Sequence, residues 1–420
     1  MRYFYTILAI LVAVVIGSSQ EVKVGAAKRI ITPSPLLPVS GGVGIPKPAH
    51  KKEGDLFVRV MVVEKGGERL AIVGIDNLGW PSLLADETRK LVPEIPAQNI
   101  IIGSSHTHSA PDAYGFPDET GKSSADPEYL SFCIQQMAEA IKEALANTRP
   151  AVLKVNVGEA KGKIAFNYYA DELYDPRCGV IQAIDAKSND VIATLVNYAI
   201  HPEVIGNSRG ILSPDLCGPL YDRIEERVGG VAVFMNGAQG GMVTADNRRP
   251  GMHEVQTYAE CKRIGYILAD EALRIVGESE VLKDPQVFVQ AKQVTFPVTS
   301  PLMKQLMTLV NFGEEKDGNY FVKTQMNLIN IGTAQIVTIP GEALPNIGYY
   351  LKRKMKSNQP FVFGLTNDAF GYILTKEDFQ SFKRYDYVSR TSLGEMTGDV
   401  LVNEALELIK NNPAADDFKQ

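Results

Sequence analysis

Apolar and polar positions follow two periods along this chain. Short β-rich runs come in pairs across turn residues: 57–63 and 70–76 flank Lys65-Gly66-Gly67-Glu68, and 179–185 and 191–200 flank Lys187-Ser188-Asn189-Asp190. A third pair, 324–331 and 334–339, flanks Gly332-Thr333. Each reads as a β-hairpin. Between them, apolar residues recur at helical spacing over 127–147, 216–228, 256–276, 344–355 and 394–410. Hairpins demand antiparallel neighbours, so the pattern predicts an α/β fold of mixed β-sheet layers with flanking helices, not a purely parallel sheet. No Pro/Ser-rich linker divides residues 20–420, which are expected to form a single large domain.

The first residues follow another pattern. Arg2 precedes an apolar run at 7–16, then the small residues Gly17, Ser18 and Ser19. This predicts a signal peptide over 1–19, cleaved on export to a periplasm or the exterior. The run is shorter than the roughly 20 residues a bilayer span needs, and no later segment reaches that length, so no integral membrane segment is expected after cleavage. The net charge of −6 and the lack of a long basic cluster argue against a nucleic-acid partner. Four cysteines, at 133, 178, 217 and 261, form no CxxC pair, which makes zinc ribbons and redox motifs poor fits and buried thiols, or at most one bridge, the better expectation.

Six apolar strands run directly into polar residues. They end at Asp76-Asn77, Ser104-Ser105-His106, His201-Pro202, Asn236-Gly237, Gly341-Glu342 and Thr366-Asn367-Asp368. Ligands of α/β sheets sit beyond strand ends, where polar side chains converge. Of five histidines, His106, His108 and His201 lie in these loops, whereas His50 and His253 have no such setting. In an extended segment residues i and i+2 share a side, so His106 and His108 are expected to face one cavity. Imidazoles so grouped suit zinc, and a catalytic zinc keeps one position open for water or substrate.

These motifs carry a resemblance. Gly103-Ser104-Ser105-His106-Thr107-His108-Ser109-Ala110-Pro111, Asn197-Tyr198-Ala199-Ile200-His201-Pro202, Ile339-Pro340-Gly341-Glu342 and Asn367-Asp368-Ala369-Phe370-Gly371-Tyr372-Ile373 resemble, in order, the amino-terminal catalytic domain of the neutral/alkaline non-lysosomal ceramidases. The likeness starts at Val24-Gly25-Ala26-Ala27-Lys28 and Ile31-Thr32-Pro33 and covers nearly the whole mature chain. It implies a zinc amidase whose metal ligands map onto His106, His201, Glu342 and Tyr372. His108 maps onto a histidine near the metal water, and Tyr385 falls close to a tyrosine that lines the family's substrate pocket. On pattern alone, Glu342 reads as a residue near a helix start and Tyr372 as a core aromatic.

The chain also departs from that family. In the loop 236–247, Gly241 and Val243 stand where the family has the Asp and Ser of a Gly-Asp-x-Ser-Pro-Asn sequence, with Thr244 the nearest hydroxyl. Tyr168 stands where the family has an Arg, and the chain stops before the family's immunoglobulin-like carboxy-terminal domain. Backbone N–H groups around Asn236, Gly237, Gly240 and Gly241 are candidates to bind an oxyanion, the alternative being a tight turn. Asp76 and Asp215 are candidates to hold a histidine ring, Asp215 alternatively to cap a helix. The expectation is an exported zinc-dependent hydrolase of an amide or ester bond in a small-molecule, lipid or glycan-derived substrate. The alternatives are a zinc enzyme acting on a carbohydrate or other small polar substrate, and a non-catalytic zinc-containing binding protein.

Overall fold

The computed structural model describes residues 21–249 and 254–419. The predicted signal peptide and His253 lie outside them. One sequence of elements occurs three times. The first round is β1 (Lys23–Ile30), the hairpin β2 (Phe57–Lys65) and β3 (Glu68–Ile75), α1 (Ser82–Lys90), β4 (Ile100–Ser104) and α2 (Pro127–Ala146). The second is β5 (Arg149–Glu159), β6 (Arg177–Asp185), β7 (Val191–Tyr198), α3 (Cys217–Val228), β8 (Val231–Asn236) and α4 (Tyr258–Gly277). The third is β9 (Val287–Val298), β10 (Asn319–Ile331), β11 (Ala334–Thr338), α5 (Pro345–Lys354), β12 (Gln359–Phe363) and α6 (Thr397–Asn411). The three predicted hairpins are the middle of each round.

In every round the first three strands run antiparallel and the fourth lies parallel to the third. A helix separates those last two strands, as a parallel crossover requires. Rounds one and two join edge to edge through β1 and β5, giving the strand order β8-β7-β6-β5-β1-β2-β3-β4, and round three forms its own sheet, β9-β10-β11-β12. This is the mixed-sheet α/β fold with flanking helices that the periodicity predicts.

Burial explains why the strands read as unbroken apolar runs. In β2, Val58, Val60 and Val62 pack outward against the first helix pair, whereas Met61 and Val63 point inward. Both faces of each sheet are covered, so both sets of alternating positions are apolar. The inward residues of all three rounds meet in one central core that includes Ile72, Leu195, Val233, Ile336 and Phe363. Full burial of one such side chain contributes about 1.5–3 kcal/mol. Local signals start the helices: Asp126 accepts from Tyr129 N–H ahead of Pro127, and Thr257 accepts from Glu260 N–H. All four cysteines are buried free thiols.

The parallel pairing fixes where the strands finish. Ile75 lies beside Ser104, Tyr198 beside Asn236, and Thr338 beside Phe363. These three pairs of ends are stitched together: Gly364 N–H donates to Asn236 O at 2.9 Å, Ser104 N–H to Leu365 O at 3.1 Å, and Asn367 N–H to Ile102 O at 2.7 Å. Each round therefore delivers its polar strand ends to one place.

Candidate metal centre

His106 leaves β4 with a left-handed backbone, φ 71°. This is not the extended geometry that the His-Thr-His spacing suggests, and it is a rare conformation for a residue with a Cβ. Its N–H donates to Asn77 O at 2.9 Å, and its Nδ1 contacts Leu78 O. The turn still brings both imidazoles of the loop together, with His106 Nε2 and His108 Nε2 3.3 Å apart. His201, from the loop after β7, is fully buried, and its N–H and Nδ1 both rest on Val243 O at 2.8 Å. With Nδ1 donating to a carbonyl, the Nε2 lone pairs of His106 and His201 face inward.

Glu342 comes from the third round. It is the parallel register partner of Tyr372, and its N–H donates to Gly371 O at 2.8 Å. Its Oε2 lies 3.1 Å from His201 Nε2 and 3.4 Å from His106 Nε2. Donor atoms about 2.1 Å from a tetrahedral ion stand about 3.4 Å from one another, so Glu342 is spaced from each of the two histidines like a fellow ligand of one metal. The nitrogens of His106, His108 and His201 all lie within 4.8 Å of one another and could hold a metal ion. Tyr372 stands at the same place, its ring 6.5 Å from His201, with its hydroxyl hydrogen-bonded to Met242 Sδ at 3.2 Å.

The charges are consistent with a cation in their midst. Burial disfavours an ionised Glu342, yet the imidazoles of His106 and His201 hold its carboxyl well below the usual carboxylate range. Burial and the two neighbouring imidazoles push His108 down, whereas against burial Glu342 raises His201.

The other candidates do different work. Asp76 reaches no histidine: its carboxylate accepts from Phe57 N–H and the Tyr221 hydroxyl. Asp215 neither holds a ring nor caps α3, because it accepts from Ile205 and Leu216 N–H and so ties the loop after His201 to that helix. Backbone carbonyls take the place these aspartates were expected to fill. Asn236 is a clamp, its amide donating to Ser105 O at 2.9 Å and Ile200 O at 2.8 Å, the residues just before His106 and His201. Gly237 N–H donates to Tyr198 O and Gly240 N–H to Ala343 O, so these groups are taken up by the backbone of neighbouring segments instead of cradling an anion. A Cβ at Gly240 would lie 2.1 Å from Glu342 O, and Gly241 has φ 67°. The tight-turn alternative therefore describes this loop.

Beside the donor groups opens a mostly apolar pocket whose lining includes His106, His108, Glu342 and Tyr372. Leu306, Met307, Val310 and Phe312 supply much of the rest. Tyr387, two residues beyond Tyr385, also lines it, with its ring 5.8 Å from Tyr372. Tyr385, at the N-cap of the short helix Asp386–Arg390 that carries Tyr387, packs instead on Tyr169 and Phe382. Tyr114 and Asp368 also line the pocket, and Glu203 lies 3.2 Å from His108. Sequence pattern singled out neither Tyr114 nor Glu203, although Glu203 follows His201-Pro202 directly.

Two solved structures share this architecture. Neutral ceramidase from Pseudomonas aeruginosa matches with a TM-score of 0.75 and 16% identity, over 96% of this chain and 77% of that one. A ceramidase complexed with C2 matches with a TM-score of 0.72 and 18% identity, over the same shares. At these identities the likeness establishes a ceramidase-like fold. No protein-family model and no curated protein matches the chain. Among the described residues no helix is long and apolar enough to cross a membrane.

Proposed function

We propose that this protein is an exported zinc-dependent hydrolase that cleaves an amide or ester bond in a substrate with an apolar tail. The observation that carries this reading is the His106, His201 and Glu342 donor set at the end of an apolar pocket. His106, His201 and Glu342, with Tyr372 beside them, would hold the ion. When bound, zinc would polarise a carbonyl and lower the pKa of a water to about 7. The aliphatic and aromatic wall would hold the tail and exclude bulk water from the reacting carbonyl. Such a lining favours an acyl substrate over a carbohydrate, which would require hydrogen-bonding groups along the same wall.

In this reading the chain is a divergent relative of the neutral ceramidases, with a changed way of handling the amide. Val243 carries no hydroxyl, and its carbonyl anchors His201. Its neighbour Met242 presents a thioether to Tyr372. His108, at the centre and partly exposed, is then the group placed to move a proton.

Metal analysis of the purified protein tests the centre. A panel of short- to long-chain acyl esters, N-acyl amides and ceramide, assayed with and without chelator and after zinc repletion, tests the reaction. Stoichiometric zinc with chelator-sensitive hydrolysis supports the proposal. A metal-free protein, or a zinc protein that hydrolyses none of the panel, rejects it.

A further inference from the structure

One carboxylate in the pocket lining stands apart from the donor groups. Asp368, in the loop after β12, is 2% exposed. Its Oδ1 accepts from Ser82 N–H at 3.2 Å and from Ala369 N–H at 3.0 Å, which fixes the side chain against the start of α1. Its Oδ2 has no hydrogen-bond partner among the described residues. The hydroxyls of Ser82 and Thr324 lie close enough to favour its charge, yet Thr324 Oγ1 is itself unpaired. Among the described residues no Lys or Arg lines the pocket to neutralise it.

Tyr114 shares this stretch of the lining. Gly79 makes room for it: a Cβ there would lie 2.0 Å from the Tyr114 hydroxyl oxygen and 2.8 Å from Ala369 Cβ. The phenol therefore ends beside the residue that follows Asp368. Asp112 holds its backbone, accepting from Tyr114 N–H at 2.9 Å and Phe116 N–H at 2.8 Å, and the ring stacks on Phe116. Burial, then the charges of Glu342 and Asp368, keep the phenol protonated, so it can donate.

An unpaired oxygen on a buried carboxylate is costly, and inside a pocket a bound ligand can satisfy it. Here an acceptor at Asp368 stands near a donor at Tyr114. A hydroxyl answers both, because it donates one hydrogen bond and accepts others. A methylene answers neither and leaves the carboxylate stripped of water.

We propose that Asp368 and Tyr114 form a polar subsite within the apolar pocket, which takes a hydroxyl group carried on the substrate tail. The hydroxyl donates to Asp368 Oδ2 and accepts from the Tyr114 O–H. This rests on the hydrolase reading above and deepens it, naming the substrate class as a hydroxylated acyl compound.

The probes are octanohydroxamic acid, whose head group binds zinc, and its derivatives with a hydroxyl on successive carbons of the chain. Calorimetry with the metal-replete protein gives each affinity. At one position the hydroxyl is expected to tighten binding roughly tenfold to a hundredfold over the parent, the range for a hydrogen bond to a charged group. Asp368→Asn puts an amide NH2 in place of Oδ2 and should abolish that gain, and Tyr114→Phe should reduce it. Thermal midpoints and metal content show that each variant keeps its fold and its centre. A parent that binds with no gain at any position, or a gain that survives Asp368→Asn, overturns this inference but not the hydrolase reading. So does an amino group favoured over the hydroxyl at the same carbon, which would make the ligand a cation. A parent that does not bind removes the metal-ended pocket, and the hydrolase reading and this inference with it.

Discussion

Asn236 donates its side-chain amide to the carbonyl of Ser105, 2.9 Å away and one residue ahead of His106. The same amide reaches Ile200 O, and Asn236 Oδ1 accepts from Ile200 N–H, so one buried side chain sets the spacing between two rounds of the fold. Deleting it leaves several buried backbone groups without partners, at about 1–3 kcal/mol each. Asn236→Ala should therefore lose about 3 kcal/mol or more of stability in denaturant titrations and retain less metal. A variant with wild-type stability and metal content would show that the two loops hold their places without it.

The donor set makes a direct prediction about metal. His201→Ala and Glu342→Gln should each purify with well under one metal ion per chain, because each removes a group spaced like a ligand. Chelation should lower the thermal midpoint of the wild type, since an ion at a thousandfold its Kd stabilises by about 4 kcal/mol. The same chelator should leave the midpoint of His201→Ala unmoved. Stoichiometric metal in His201→Ala would place the ion elsewhere.

What was legible in the sequence divides along physical lines. The hairpins and the long helices announce themselves because both faces of each sheet and one face of each helix are buried, which writes periodicity into the chain. β1 hides, because α2 crosses it so closely that a Cβ at Gly25 would lie 2.0 Å from Ala144 O, and the strand is built of small residues in place of β-branched ones. The histidines stand out because the type is scarce and follows apolar strands. Glu342 and Tyr372 do not, because their pairing joins segments about thirty residues apart and is set by tertiary register. Pattern placed His106 and His108 on one side by strand alternation, whereas the structure does so by a left-handed turn. The threefold repeat shows in sequence only as three hairpins, since the parallel strand and its crossover helix in each round differ in length and composition.

Asp368 lines the pocket and offers a test of electrostatics away from the donor groups. Burial pushes its carboxyl up to about 6, against hydrogen bonds from Ser82 and Ala369. A folded-state value above the ordinary one means that the native state binds the proton more tightly than the unfolded state does. The charge therefore destabilises above about pH 6, and the penalty, up to about 3 kcal/mol, fades as pH falls toward about 4. Asp368→Asn keeps an oxygen for the two N–H donors, so it should be more stable than wild type at about pH 8 and about equal to it near pH 4. Urea titrations at the two values would show this, and an identical difference at both would contradict it.

The pocket wall predicts how turnover depends on the substrate tail. Each methylene buried is worth about 0.8 kcal/mol, or roughly a fourfold gain in kcat/KM, until the tail outgrows the pocket. Across a series of straight-chain acyl esters, kcat/KM should climb steeply and then level. Leu306 lines the wall while only partly buried, so Leu306→Glu should fold and put a charge where the tail would lie. That variant should keep its activity on the shortest ester and lose most of the gain with length, because an apolar tail laid against a carboxylate forces its desolvation. If the slope with chain length is the same in both proteins, the tail binds elsewhere and this pocket does not select the substrate.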